Sequence, residues 1–316
     1  MDKIDFIRDF IDIESLPLQA IKDIQYFEYA ASEYGILDEW NSFIDYIEKR
    51  FGSRDKYREY YNQVKESFLK YVKNLPEFIN FDSRDMSVFN IDFPEKNMIG
   101  ENQYCESNVG KTLLSIDLKK ANYQALKYIG IFKDTETYEE LIGRFTDVPF
   151  IINSKKFRSL VFGQLNPKRH KIIENWLINM IRSEIPSKFK LICISNDELV
   201  YEIPSDIIIL KSDLEGTIRE IKELYGLDIK AEYYKLNQFI IEFLLSKKQF
   251  RIYQKKSYCG EKDVYKCIPN NLWLIFHKLL TNQELCEYDT WVEHEGILSK
   301  YLEPFKLIRN EKIISS

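Results

Sequence analysis

The chain has 316 residues, 45% hydrophobic and 15% aromatic, which suits a folded protein with a sizeable core and excludes a disordered one. It holds no apolar run of roughly eighteen residues and no basic head leading into an apolar stretch, so neither a membrane span nor a secretory leader is expected and a cytoplasmic setting follows. The net charge of −5 argues against a uniformly basic nucleic-acid binder, but residues 1–50 hold twelve acids against five bases, leaving basic clusters further along. Abundant Lys, Ile, Asn and Tyr suggest an AT-rich genome, as in a phage or other mobile element.

The first third reads as helical. Pro17 suits a first helical position and Gly35 a stop, and Trp40, Phe43, Ile44, Ile47 and Phe51 follow helical spacing. Gly52 ends that helix and Ser53 caps the next, whose stripe is Tyr57, Tyr61, Val64, Phe68 and Val72. Such aromatic stripes are expected in a core, not on a base-stacking surface. Residues 80–105 read as an irregular connector, which closes an N-terminal helical domain over 1–105.

Chemistry begins after it. Thr112–Ala121 is an apolar strand carrying Asp117 near its end, followed by a helical segment with Ala121, Ala125, Leu126, Tyr128 and Ile129. Ser154–Ile173 carries Lys155, Lys156, Arg158, Lys168, Arg169 and Lys171 and no acid. Leu191–Pro204 reads as two strands joined by a tight turn, with Asp197 and Glu198 at the tip. Adjacent carboxylates repel unless something neutralises them, and a divalent cation does that well; an exposed acidic turn is the plain alternative. Carboxylates for two Mg²⁺ or Mn²⁺ ions and cations for a triphosphate are the parts that phosphoryl transfer needs.

The order and wording of these segments resemble motifs A, B and C of the polymerase palm, closest to the family A DNA polymerases. Motif C of that family reads roughly V-H-D-E-L-V-x-E, and Ser195-Asn196-Asp197-Glu198-Leu199-Val200-Tyr201-Glu202 matches it except at the His. An amphipathic helix (Leu214, Ile218, Ile221, Leu224) and a strand opening at Leu227-Asp228-Ile229 follow, as in the family. Motif B is similar through Arg158 and Phe162-Gly163, with Lys155 and Lys156 upstream, and Asp117 stands for the motif A aspartate. The resemblance covers about residues 110–236.

The departures are Asn196 for the family's His, Asn166 for a fingers Tyr, Asn122 for the Glu implicated in rejecting a ribose hydroxyl, and a gap from Phe162 to Asp197 too short for full fingers. The compact spacing looks more like reverse transcriptases or other minimal palms.

What the resemblance implies is an α+β chain. A polymerase-like palm of antiparallel sheet and helices with minimal fingers would occupy 106–236, flanked by the N-terminal helices and a thumb-like α+β region over 237–316. Asp117, Asp197 and Glu198 would be the metal ligands and catalytic acids, with Glu198 secondary. Lys155, Lys156 and Arg158 would hold the triphosphate, Phe162 the base or sugar, and Asn122 or Tyr123 the sugar hydroxyl. The expected activity is a small DNA or RNA polymerase, suited to primer synthesis, with DNA or RNA, NTP or dNTP and other replication proteins as partners. Template-independent nucleotide addition, a non-catalytic nucleic-acid binder with a degenerate palm, and a two-metal nuclease are the alternatives.

Downstream, Lys247, Lys248, Arg251, Lys255 and Lys256 interleave with Phe250 and Tyr253, as a backbone-gripping strand or a solvated one would. With Lys168, Arg169 and Lys171 they form the expected nucleic-acid surface. Trp273 and Phe276 are expected to pack a C-terminal helix. The five cysteines contain no C-x-x-C, and Cys259, Cys267 and His277 have the wrong spacing for zinc. Gly110-Lys111-Thr112 lacks the first Gly of a phosphate loop, Cys105 standing in its place, and it leads into a strand. His170, His277 and His294 are isolated and receive no role.

Overall fold

The computed structural model describes residues 3–89, 102–195, 197–260 and 262–310, so Asn196 and most of the expected connector lie outside the described residues. Five helices come first: α1 (Ile7–Glu14), α2 (Ile24–Tyr34), α3 (Leu37–Phe51), α4 (Arg54–Lys73) and α5 (Pro76–Ser83). Their ends follow local chemistry. Gly35 and Gly52 close α2 and α3 in the left-handed region at φ 78° and 72°, which costs glycine little. The Ser53 hydroxyl caps α4 by accepting from Lys56 N–H. Pro17 does not open a helix; Ser15 stops α1 at φ 55°, and Asp23 caps α2 by accepting from Tyr26 N–H at 2.8 Å. Phe10, Phe27, Trp40 and Phe43 meet edge-on or tilted in the middle of this bundle, so the aromatic stripes are core as expected.

Strand β1 (Thr112–Leu118) then leads into five helices: α6 (Ala121–Tyr128), α7 (Tyr138–Gly143), α8 (Pro149–Ile152), α9 (Lys155–Phe162) and α10 (Pro167–Ser183). The hairpin β2 (Lys190–Ile194) and β3 (Glu198–Glu202) follows, then α11 (Lys211–Tyr225) and the long β4 (Ile229–Phe243). The remainder comprises β5 (Gln249–Ser257), β6 (Val264–Lys266), α12 (Trp273–Leu280), a small hairpin β7 (Trp291–His294) and β8 (Ile297–Lys300), and β9 (Phe305–Asn310). The chain is thus α+β, with an antiparallel sheet in the order β2-β3-β1-β4-β5-β6 and β9 also paired with β4.

Strand alternation divides the sheet into two unlike faces. Leu114, Ile116, Leu118, Leu199, Tyr201, Ile229 and Tyr233 point to one side, into a core continuous with the N-terminal helices and with α10. Further along β4 and β5, Phe239, Ile241, Phe243 and Ile252 pack with Ile275 and Phe276 of α12. The opposite face carries Ser115, Asp117, Glu198 and Glu232 beside a small cluster of Leu113, Val200, Tyr234, Leu236 and Tyr253, to which no α-helix contributes among the described residues.

The division expected at 236/237 falls inside β4, which runs unbroken because its first half pairs with β1, its second half with β9, and β5 bridges the two. The last hundred residues return to the first. Lys278 pairs with Glu33 at 2.8 Å, Trp291 stacks on Tyr26, and Tyr29 donates to Asp289 at 2.8 Å. Among the described residues no helix is long and apolar enough to cross a membrane.

Candidate active site

The site is built by register. β1 pairs with β3 so that Asp117 lies opposite Glu198, and with β4 so that Ser115 lies opposite Glu232. Directly opposed residues share a face, and alternation puts Ser115 on the same face as Asp117. Leu118 N–H donates to the Asp197 carbonyl at 2.7 Å, which pins the β2–β3 turn against the end of β1. Inside that turn the Ser195 hydroxyl accepts from Glu198 N–H at 3.0 Å and donates to the Asp197 carboxylate at 3.1 Å. Glu198 is the first residue of β3, not a turn residue as expected; of the two acids, Asp197 is the one in the turn, and it is exposed.

The carboxylates differ sharply in what they touch. Glu198 accepts from the Ser115 hydroxyl on one oxygen and from Gln103 Nε2 at 3.0 Å on the other. Gln103 in turn accepts from the Tyr234 hydroxyl at 2.6 Å. Glu232 lies between Lys230 at 2.6 Å and Lys255 at 2.9 Å, and the two lysines hold its carboxyl below the usual range although burial pushes the other way. Asp117 has no hydrogen bond or ion pair among the described residues, and only the Lys230 charge acts against the rise of its carboxyl. Burial first, then the negative charge of Asp197, Glu198 and Glu232, pushes its carboxyl up to about 6.

A further acid, missed in the sequence, approaches from below. Glu174 of α10 is 9% exposed and has no hydrogen-bond or ion-pair partner among the described residues. Burial, helped by Asp197, pushes it up to about 7. α10 packs on α6 and β3, which brings Glu174 near enough to the hairpin to feel the charge of Asp197. Glu232, Lys230 and Ser115 were also missed. Their one trace in the sequence is polarity at alternate positions of otherwise apolar strands.

Among the described residues no three His, Cys, Asp or Glu side chains gather closely enough to hold a metal alone. Magnesium needs less: it keeps several waters and takes one or two carboxylates plus substrate phosphate oxygens. Asp117 and Asp197 are the two carboxylates that could supply such ligands: among the described residues the first has no hydrogen bond or ion pair, and the second is exposed.

The basic residues are distributed differently from expectation. Lys155 and Lys156 are exposed on α9, which packs against α1 and α4. Arg158 is half-buried over the Tyr138 ring at 5.7 Å and feels Glu139, which also pairs with Lys120 just beyond β1. Phe162 is 1% exposed among Phe68, Phe132 and Tyr138, so it cannot contact a nucleotide. Tyr123 is likewise 3% exposed, stacked on Phe132 with its hydroxyl on Thr135, and it corrects the expectation of a sugar contact. Asn122 stays half-exposed, accepting from Tyr123 N–H.

Arg169 donates to the carbonyls of Phe81 and Arg84, so it ties down the end of α5 and does not face solvent as a phosphate contact would. Asn166 donates to Asp82 at the start of α10. Lys255 is buried between Glu198 and Glu232, so it too leaves the expected nucleic-acid surface. Lys168, Lys171, Lys247, Lys248, Arg251 and Lys256 are exposed.

No protein-family model, no curated protein and no solved structure matches the chain.

Proposed function

We propose that the chain is a nucleotidyltransferase whose sheet serves as a compact polymerase-like palm. The observation that carries this reading is the register that sets Asp117 opposite Glu198 with Asp197 pinned beside them, on the face away from the main core. A Mg²⁺ or Mn²⁺ ion between Asp117 and Asp197 would relieve their repulsion, acidify a primer 3′-hydroxyl and neutralise the leaving pyrophosphate. Glu198, with both oxygens engaged, would orient the turn instead of binding metal. Lys155, Lys156 and Arg158 remain the residues assigned to the triphosphate of an NTP or dNTP. The exposed Lys168 and Lys171 of α10, Lys247 and Lys248 just before β5, and Arg251 and Lys256 within it are assigned to a DNA or RNA backbone.

One observation favours a second reading. Lys255 already neutralises part of the acid cluster, as a non-catalytic palm that only binds nucleic acid would allow. Extension of a labelled primer, with and without template, offering NTPs or dNTPs with Mg²⁺ or Mn²⁺, separates the two. Addition that disappears in Asp197→Asn supports the enzyme. Binding without addition in every combination sinks it, and addition without template selects the terminal-transferase form.

A further inference from the structure

Lys255 is buried where a strand lysine is normally solvated. Its side chain is 8% exposed, with Nζ at 2.9 Å from Glu232 and 3.9 Å from Glu198. The ammonium also sits over the Tyr234 ring at 4.6 Å and the Tyr104 ring at 6.0 Å. A buried ammonium is costly unless paired, and here two carboxylates and two ring faces meet that cost. Every oxygen of Glu198 and Glu232 is then committed: to Ser115, Gln103 and Lys255 on the first, to Lys230 and Lys255 on the second.

We propose that Lys255 is a positioning residue that stands in for a second divalent ion, so that the site binds one Mg²⁺ or Mn²⁺, at Asp117 and Asp197. The charges support that count. Asp117, Asp197, Glu198 and Glu232 set against Lys230 and Lys255 leave two negative charges, or three when Glu174 is ionised, and one divalent cation balances all or most of them. The free places are also on one side only. Among the described residues Asp117 and the buried Glu174 have no hydrogen bond or ion pair, Asp197 is exposed and its charge is felt by Glu174, whereas every carboxylate oxygen on the Lys255 side already has a partner. In a palm with two ions the second cation would hold that side. Here the ammonium fixes Glu198 and Glu232 with no ion to lose. The inference rests on the nucleotidyltransferase reading for its purpose but not for its count.

The test is Mn²⁺ stoichiometry on the full chain, by calorimetry and by electron paramagnetic resonance of free Mn²⁺, with primer extension on the same preparations. One Mn²⁺ per wild-type chain is expected. Lys255→Met should bind two, because Glu198 and Glu232 lose their counter-charge, and Lys255→Arg should return to one. Lys255→Met with Glu232→Gln, which removes the charge pair together, should also stay at one and guards against a single variant that fails to fold. Two Mn²⁺ or none in the wild-type chain, or an unchanged count in Lys255→Met, overturns the inference. Two Mn²⁺ with nucleotide addition sinks the role of Lys255 alone; one Mn²⁺ without addition sinks the polymerase reading alone.

Discussion

Asp117 and Glu198 face each other across the β1–β3 ladder, yet among the described residues only Glu198 of the two has hydrogen-bond and ion-pair partners. Backbone hydrogen bonds hold the pair in place, so the repulsion felt by Asp117 cannot be relieved by moving apart. A group kept in an unfavourable state by the fold is a common mark of a functional site.

Asp117→Asn removes that repulsion. The variant is expected to melt about 1–4 °C higher than wild type, as relief of roughly 1 kcal/mol would give in a chain of this size. Nucleotide addition is expected to fall by about a thousandfold or more, since the lost carboxylate acts on charge that develops in the transition state. Thermal melting and single-turnover extension measure both. A lower melting point with normal extension would make Asp117 an ordinary structural acid.

The raised carboxyls of Asp117 and Glu174 set a pH dependence of stability. Unfolded, such groups titrate near 4; folded, they titrate at about 6 and about 7. Between those limits the native state binds more protons at these two groups, so their contribution to stability is complete below about pH 4, falls as pH rises, and is gone above about pH 8. Melting curves from pH 5 to 8.5 in EDTA should show this decline, and Glu174→Gln should flatten it by an amount on the order of 1 kcal/mol. Mn²⁺ should raise the melting point more at pH 8 than at pH 5, because it competes with those protons. A metal effect independent of pH would place the ion elsewhere.

What the sequence disclosed and what it hid follow from how far each contact reaches. The α3–α4 boundary at Gly52 and Ser53, the strand bearing Asp117 and the hairpin bearing Asp197 were legible because capping and alternation act over a few residues. Glu232 and Lys255 were not. Each sits at an alternate position of an amphipathic strand and reads as solvent-facing until the β1–β4 and β4–β5 registers bring it beside Glu198. Glu174 borders the apolar stripe of Ile173, Leu177 and Ile178, and only the approach of α10 to the hairpin turns it inward. Phe162 and Tyr123 were assigned by resemblance to a motif, while their own helices present them to the core.

Arg158 and Phe162, neighbours on α9, should respond differently to truncation. Phe162→Ala empties a fully enclosed ring site and should cost about 3–5 kcal/mol of stability. Arg158→Ala loses a partly exposed stacking contact of about 0.5–1 kcal/mol but also the cation assigned to the triphosphate. Its nucleotide KM is expected to rise about tenfold with little change in melting point. A large fall in melting point with an unchanged KM would make Arg158 a support for Tyr138 and nothing more.

The sugar provides the last test. DNA polymerases reject ribonucleotides by placing a bulky or acidic side chain against the 2′-hydroxyl, and strong rejection needs such a dedicated clash. Tyr123, the bulky candidate, is turned into the core with its hydroxyl on Thr135, so it does not serve as a gate. Asn122 is half-exposed, neutral and short, and its amide nitrogen remains able to donate to a hydroxyl. Ribonucleotides are therefore expected to be added with kcat/KM within about tenfold of deoxynucleotides, a difference of roughly 1.4 kcal/mol. Tyr123→Phe should lose about 1 kcal/mol of stability and leave that ratio unchanged. Matched ATP and dATP kinetics on both proteins decide the matter. A preference for dATP beyond about a thousandfold would require a clash that neither residue supplies, and a ratio that shifts in Tyr123→Phe would mean the core position of this ring changes when nucleotide binds.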